Sequence, residues 1–399
     1  YERLETHGPA QWPYPSGALS GRVRLYEDGV FPTDNGKARF IASPYRATAE
    51  RTDARYPIAL LTGRLRDQWH GMSRTGTLAR LYAHAPEACI DISPADSRRL
   101  ELQNGELVYV TSRRGVQVLP VQVSSTLSSS QAFIAMHWGG EFVSGQAGKA
   151  LGQGVNSLTI AACDPISEQP ELKFAAIKVS KANLPWHLNV FGWFDDSDAL
   201  NLQIKLRAFF PLCTFATAIL FGRDDTRHQT GVSLTLANLE PFEPTLLEQI
   251  RRLFGLDHST DMKSVMTYRD QRKSIERLLA IEHLSEKKVL SCVLLTGSII
   301  DLEARIWLKE YLETLTDVSA LGRKLLSPGK TPPQALIPRG KIICNCFDVS
   351  EQAITACLMQ AGTADPDDLL DVLQRKLACG TNCGSCLPEL KNMVVARVN

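Results

Sequence analysis

Near the end of the chain four cysteines stand in two tight pairs, Cys344-Asn345-Cys346 and Asn382-Cys383-Gly384-Ser385-Cys386. No other feature constrains the fold as strongly, because thiolates that converge on one centre fix two distant loops against each other. A [2Fe-2S] cluster needs four thiolates, two per iron. Structural zinc also takes four, usually through loops with two to four residues between ligands. The one-residue gap between Cys344 and Cys346 is tighter than that and favours iron–sulfur. Zinc, or ordinary buried thiols, are the other readings.

The surroundings suit an anionic centre. Ser350 is a good N-cap for a helix through Ile354, Leu358 and Ala361 that Gly362 ends. Asp365-Pro366-Asp367-Asp368 opens a second helix, with proline at its first position and acids in its first turn, and Leu369, Leu370, Leu373 and Leu377 form its apolar stripe. Pro388 starts a third. Both cysteine pairs thus precede helix N-termini, where unpaired N–H groups stabilise added negative charge. This stretch, about Lys341–Arg397, resembles the bacterioferritin-associated-ferredoxin-like [2Fe-2S] domain. The resemblance gives the ligand role to Cys344, Cys346, Cys383 and Cys386 only. Cys379 falls outside the pattern, and Cys357 reads as core.

A chain of 399 residues suggests two or three domains. With 44 Lys plus Arg against 43 Asp plus Glu, it lacks the basic excess of a nucleic-acid or membrane-surface protein. The other six of its 10 cysteines show no framework spacing, which fits a reducing compartment, the cytoplasm. The longest apolar run, Ala208 to Phe221, is short and holds Pro211, so it reads as a buried strand or helix rather than a membrane span. The opening Tyr1-Glu2-Arg3-Leu4 reads as the middle of something, and the chain as a C-terminal piece of a longer protein.

Residues 1–55 are rich in Pro and Gly and read as a connector, with short strands possible at 23–26 and 38–41. A buried strand at Ile58–Leu61 then runs into a loop with Arg64, Arg66, Arg74 and Arg80 against a single acid, Asp67. Glycines at 63, 71 and 76 allow close backbone approach, Thr62, Ser73 and Thr75 offer hydroxyls, and Trp69 and His70 offer flat rings. That chemistry suits a nucleotide or pyrophosphate; the bland alternative is a solvated basic loop. Short strands with glycine turns follow at Ile90–Ile92, Leu107–Val110, Val116–Val123, Phe133–Met136 and Ala175–Val179, and read as a barrel.

Thr62-Gly63-Arg64 with Trp69-His70, then Ser112-Arg113-Arg114-Gly115, Asn156-Ser157-Leu158-Thr159, Asp164-Pro165 and Lys173 resemble, in order and spacing, the dinucleotide-binding domain of the molybdopterin oxidoreductases, and bacterial nitrate reductase catalytic subunits most closely. The resemblance implies a double-psi β-barrel that binds part of a bis-molybdopterin guanine dinucleotide with molybdenum. The candidate cofactor contacts are Thr62, Gly63, Arg64, Gln68, Trp69, His70, Ser73 and Arg74 in the loop, with Asn156 and Lys173; Trp138 is placed near the substrate funnel.

Between 181 and 326 the sequence reads as a packed linker around Trp186, Phe191 and Trp193, followed by a small α+β adaptor. Its expected parts are a helix at Phe242–Gly255, strands at Met262–Tyr268, Ile275–Ile281 and Val289–Leu295, and a helix at Leu302–Leu312. Residues 327–340 read as a Pro-rich linker. The expected architecture is mixed β and α: connector 1–55, molybdopterin-dinucleotide-binding barrel 56–180, adaptor 181–326, linker, and a small helical [2Fe-2S] domain 341–399.

Together the resemblances imply the C-terminal portion of an enzyme that reduces nitrate to nitrite and belongs to nitrate assimilation. Its electron donor would be a flavoprotein reductase subunit or a ferredoxin. No nucleic-acid or membrane partner is expected. The sequence holds no four-cysteine [4Fe-4S] motif and no molybdenum-ligating segment, so no catalytic residue is assigned and a [4Fe-4S] cluster is expected only in a preceding N-terminal region. The competing readings are another molybdopterin oxidoreductase, such as a formate dehydrogenase, and a non-catalytic electron-transfer or interaction module.

Overall fold

The computed structural model describes residues 2–8, 10–18, 20–22, 24–147, 150–152, 154–257, 263–272, 274–298, 302–327, 331–334, 339–362 and 365–398. They form two compact units, Tyr1–Ala47 and Thr48–Asn399. The first contains helix α1 (Glu2–His7) and a series of turns, in which Arg22 pairs with Asp28 at 3.4 Å. Its two expected strands are turn and irregular chain among the described residues. Phe40 and Ile41 stand exposed, so nothing there buries a strand face.

The division between the units falls at Ala47/Thr48. The cause is Glu50, a buried carboxylate that pairs with Arg113 and, at 2.7 Å, with Arg114. Burial alone would raise its pKa, but the bonds from Arg114 and Arg113 outweigh that and hold it below the ordinary carboxylate value. Arg114 also donates to the Leu158 carbonyl at 2.9 Å. Gly115 lets this turn close, because a Cβ there would lie 2.7 Å from the Ser157 carbonyl oxygen.

In chain order the second unit begins with β1 (Ile58–Gly63), β2 (Ile90–Ile92), helix α2 (Pro94–Arg99), β3 (Leu107–Thr111), β4 (Val116–Val123) and β5 (Gln131–Ala135). The chain leaves for β6 (Val143–Ala147) and β7 (Ala150–Gly152), then returns as β8 (Phe174–Lys181). A closed barrel forms in the order β1-β5-β2-β4-β3-β8, with β1–β5 and β2–β4 parallel. Ile58, Leu60, Ile90, Ile92, Val108 and Val110 fill it at period two. Ser93 caps α2 by accepting the Asp96 N–H at 3.1 Å.

The adaptor region is larger than the three strands and two helices read from the sequence. Strands β9 (Trp186–Asp195), β10 (Phe215–Asp224), β11 (Gln229–Asn238), β12 (Lys263–Asp270), β13 (Ile275–Leu284) and β14 (Lys287–Gly297) join β6 and β7 in one sheet, ordered β12-β13-β14-β9-β11-β10-β6-β7 and antiparallel throughout. The segment read as a packed linker is thus a central strand. Helix α3 (Asp196–Leu206) packs on the sheet face that carries Leu188 and Val190, and helix α5 (Leu302–Glu313) on the opposite face. Leu188 and Val190 of β9 join the barrel core, while Phe191 packs with Trp307 and Tyr311 of α5. Helix α4 (Pro244–Leu253) buries Leu246 and Ile250. Met262 and half of the expected linker, residues 328–330 and 335–338, lie outside the described residues.

The tail pairs β15 (Ile342–Cys344) with β16 (Val349–Ser350) and adds helices α6 (Glu351–Met359), α7 (Pro366–Leu377) and α8 (Leu387–Val398). Ser350 caps α6, and Asp365 caps α7 by accepting the Asp367 and Asp368 N–H groups at 2.9 and 3.2 Å. Leu369, Leu373, Leu390 and Val394 build its own small core around four buried cysteines.

Candidate functional site

The loop after β1 is built to hold still. Thr62 donates its hydroxyl to the Leu172 carbonyl at 2.7 Å and its N–H to the Lys173 carbonyl at 3.3 Å, which brings Thr62 and Lys173 together. The Leu65 N–H donates to Nε2 of His137 at 2.9 Å, and Nδ1 of the same ring meets the His70 carbonyl at 2.5 Å. A ring that accepts on Nε2 donates from Nδ1, so His137 is neutral. Burial lowers its pKa first, and the charges of Arg64 and His70 add to this against the His70 carbonyl contact. His70 and Met72 take left-handed backbone, φ 45° and 59°. Such conformations persist where surrounding bonds impose them.

The outer face of the loop is exposed and polar. The Arg64 guanidinium lies 4.8 Å from the Trp69 ring centre, and Trp69 meets His70 edge to face at 4.5 Å. Ser73 and Arg74 are exposed beside them in sequence. A cation stacked on an exposed aromatic suits a flat, anionic ligand. Gln68 faces inward and donates to the Leu81 carbonyl at 3.0 Å. Its Oε1 is buried with no partner among the described residues. A buried acceptor of this kind requires a donor, which the ring N–H groups of a pterin or guanine would provide. The residues therefore fit such a group.

Other expected contacts are placed differently. Asn156 is exposed in a short turn, Val155–Ser157, whose carbonyl accepts from Thr159. Trp138 is only 1% exposed, packed between Tyr82 and Phe142. It lines a 640 Å³ cleft with Leu65, His84 and Lys341. The positioning role of His137 was not legible from the sequence beyond its place at the end of β5.

The four tail thiols form two cross-loop pairs. Cys346 and Cys383 stand with sulfurs 3.3 Å apart at the outer edge, and Cys344 lies against Cys386 inside. Each loop gives one sulfur to each pair, so the set can hold a two-iron cluster. Asn345, between Cys344 and Cys346, is buried with neither amide atom partnered among the described residues. Cluster sulfide is an acceptor that its amide could serve. Cys379, set aside on sequence pattern, is fully buried and in contact with Cys344. Burial and the neighbouring thiols push it up to about 12.

Two adjacent loop residues tie the two sites together. Arg66 donates to Glu389 of α8 at 2.8 Å and to the Ile343 carbonyl, next to Cys344, at 2.8 Å. It also pairs with Asp67 at 2.9 Å. Asp67 accepts the hydroxyl of Ser385, which lies between Cys383 and Cys386, at 2.8 Å. Lys341 and His84 complete the contact, at 2.8 Å to Glu389 and 3.1 Å to the Ile342 carbonyl.

Residues 58–176 match the Molydopterin dinucleotide binding domain, and residues 342–395 match the BFD-like [2Fe-2S] binding domain. The nitrate reductase of Klebsiella oxytoca is 31% identical over 98% of this chain and 39% of its own length. The chain thus carries a molybdopterin-dinucleotide-binding domain and a BFD-like [2Fe-2S] domain. Two relatives match over less of it. The F420-dependent formate dehydrogenase subunit alpha of Methanocaldococcus jannaschii is 33% identical over 45% of this chain and 25% of its own. The periplasmic nitrate reductase of Desulfovibrio desulfuricans is 31% identical over 45% and 24%. The chain therefore spans well under half the length of these relatives.

Two outcomes follow for this chain. Cys383→Ser or Cys386→Ser abolishes the visible iron–sulfur absorption, while Cys379→Ser keeps it; equal loss in all three overturns the ligand set. His137→Gln costs about 1–3 kcal/mol of stability at neutral pH, the loss of a buried bonding group. Because the folded pKa of His137 lies below the ordinary value of about 6.5, its contribution is full above that value and fades as pH falls through it. The gap in Tm between wild type and His137→Gln thus narrows from about pH 7.5 to about pH 5.5; a constant gap counts against the neutral-ring assignment.

Proposed function

We propose that this chain is the C-terminal part of a molybdenum nitrate reductase that binds one part of the molybdopterin guanine dinucleotide and carries a [2Fe-2S] cluster on Cys344, Cys346, Cys383 and Cys386. The match to a nitrate reductase along nearly the whole chain is the observation that carries this reading. When bound, the molybdenum cofactor would supply oxygen-atom transfer from nitrate, and the cluster a one-electron relay. The chain's own work is to bind and orient. Arg64 and Trp69 offer a stacking and phosphate-binding face, Gln68 a buried acceptor, and Thr62 and Lys173 a fixed loop base. The outer thiols, Cys346 and Cys383, form the edge where a flavoprotein or ferredoxin would deliver electrons.

A role in nitrate assimilation in the cytoplasm fits ten free thiols, although one relative is named as periplasmic. Among the described residues no helix is long and apolar enough to cross a membrane. A formate dehydrogenase is the second reading, favoured by the archaeal relative. Assay of the full-length enzyme with nitrate and with formate separates the two.

Arg64→Ala in the full-length enzyme should lower molybdenum and guanine nucleotide content together, by several-fold. Unchanged content of both after purification would remove the loop from the cofactor site.

A further inference from the structure

The contact between Asp67 and Ser385 is more than a tether. Ser385 has one hydroxyl proton and two acceptors: the Asp67 carboxylate at 2.8 Å and the Cys383 sulfur at 3.2 Å. The carboxylate is charged, nearer, and 6% exposed, so the charge-assisted bond holds the proton. Arg66 fixes the other carboxylate oxygen at 3.0 Å and is itself held by Glu389 and Ile343, so the carboxylate cannot turn away. With the proton held there, the Cys383 sulfur at 3.2 Å would face a serine lone pair instead of an O–H donor.

We propose that Asp67, a residue of the barrel loop, sets the reduction potential of the [2Fe-2S] centre by keeping the Ser385 proton off the Cys383 sulfur. This rests on the assignment of the four thiols as cluster ligands. Hydrogen bonds to cluster sulfurs and net charge nearby both set such potentials. Donors to sulfur stabilise the reduced, more negative cluster, and a neighbouring carboxylate opposes it. Asp67 withholds a donor and adds negative charge, so both effects push the potential down. A lower potential makes the cluster a stronger donor toward the interior. Asp67 acts through Ser385 and is a positioning residue.

The test is an anaerobic redox titration of the full-length holoenzyme, read by EPR of the reduced cluster, with iron and sulfide counted in each preparation. Asp67→Ala shifts the midpoint upward, because the hydroxyl turns to sulfur and the charge is gone. Ser385→Ala added to Asp67→Ala takes back part of that rise. Asp67→Asn, which keeps an acceptor oxygen, shifts it upward by less than Asp67→Ala. A fully loaded Asp67→Ala enzyme with an unchanged or lower midpoint overturns the proposal, as does a double variant equal to Asp67→Ala. Should Asp67→Ala not load, an unshifted Asp67→Asn overturns it alone. Failure of the wild type to bind iron and sulfide would instead strike the ligand assignment.

Discussion

The loop after β1 reaches two ways, and the structure turns on that. Its outward side offers Arg64, Trp69 and His70, while Arg66 and Asp67 turn to the tail and grip both cysteine loops. A dinucleotide-binding domain at residues 58–176 and a [2Fe-2S] domain at residues 342–395 are thereby held through one short segment.

The energetics of this contact favour position over stability. Arg66 and Asp67 have side chains 19% and 6% exposed, so forming the pair removes both from most of their water. Half-buried ion pairs gain little net free energy, since desolvation offsets attraction. Their value is directional. The planar guanidinium meets a carboxylate of the loop, a carboxylate of α8 and a backbone carbonyl of β15 at once, an arrangement that an apolar contact would leave free to slide. Behind it, neutral His137 and Thr62 hold the loop to β5 and to the segment before β8.

Local chemistry made part of this visible in the sequence. The period-two strands of the barrel, the caps Ser350 and Asp365, and the paired cysteines each act over a few residues, and each is where it was expected. Strand β9 was not legible. It is covered on one face by the barrel core and on the other by α5, so Leu188, Val190, Phe191 and Trp193 show no polar alternation to mark a strand. Asp67 stood out as the one acid among arginines, but a partner 318 residues away leaves no local trace. The same holds for His137, whose two bonds cross to the β1 loop, and for Cys379, which tertiary packing alone brings beside Cys344.

If cluster and loop form one mechanical unit, loading the cluster must stiffen the loop. Hydrogen–deuterium exchange of the chain before and after anaerobic reconstitution with iron and sulfide measures this directly. The account predicts slower exchange in residues 64–72 as well as in the tail. Protection confined to residues 341–398, with the loop unchanged, would contradict it.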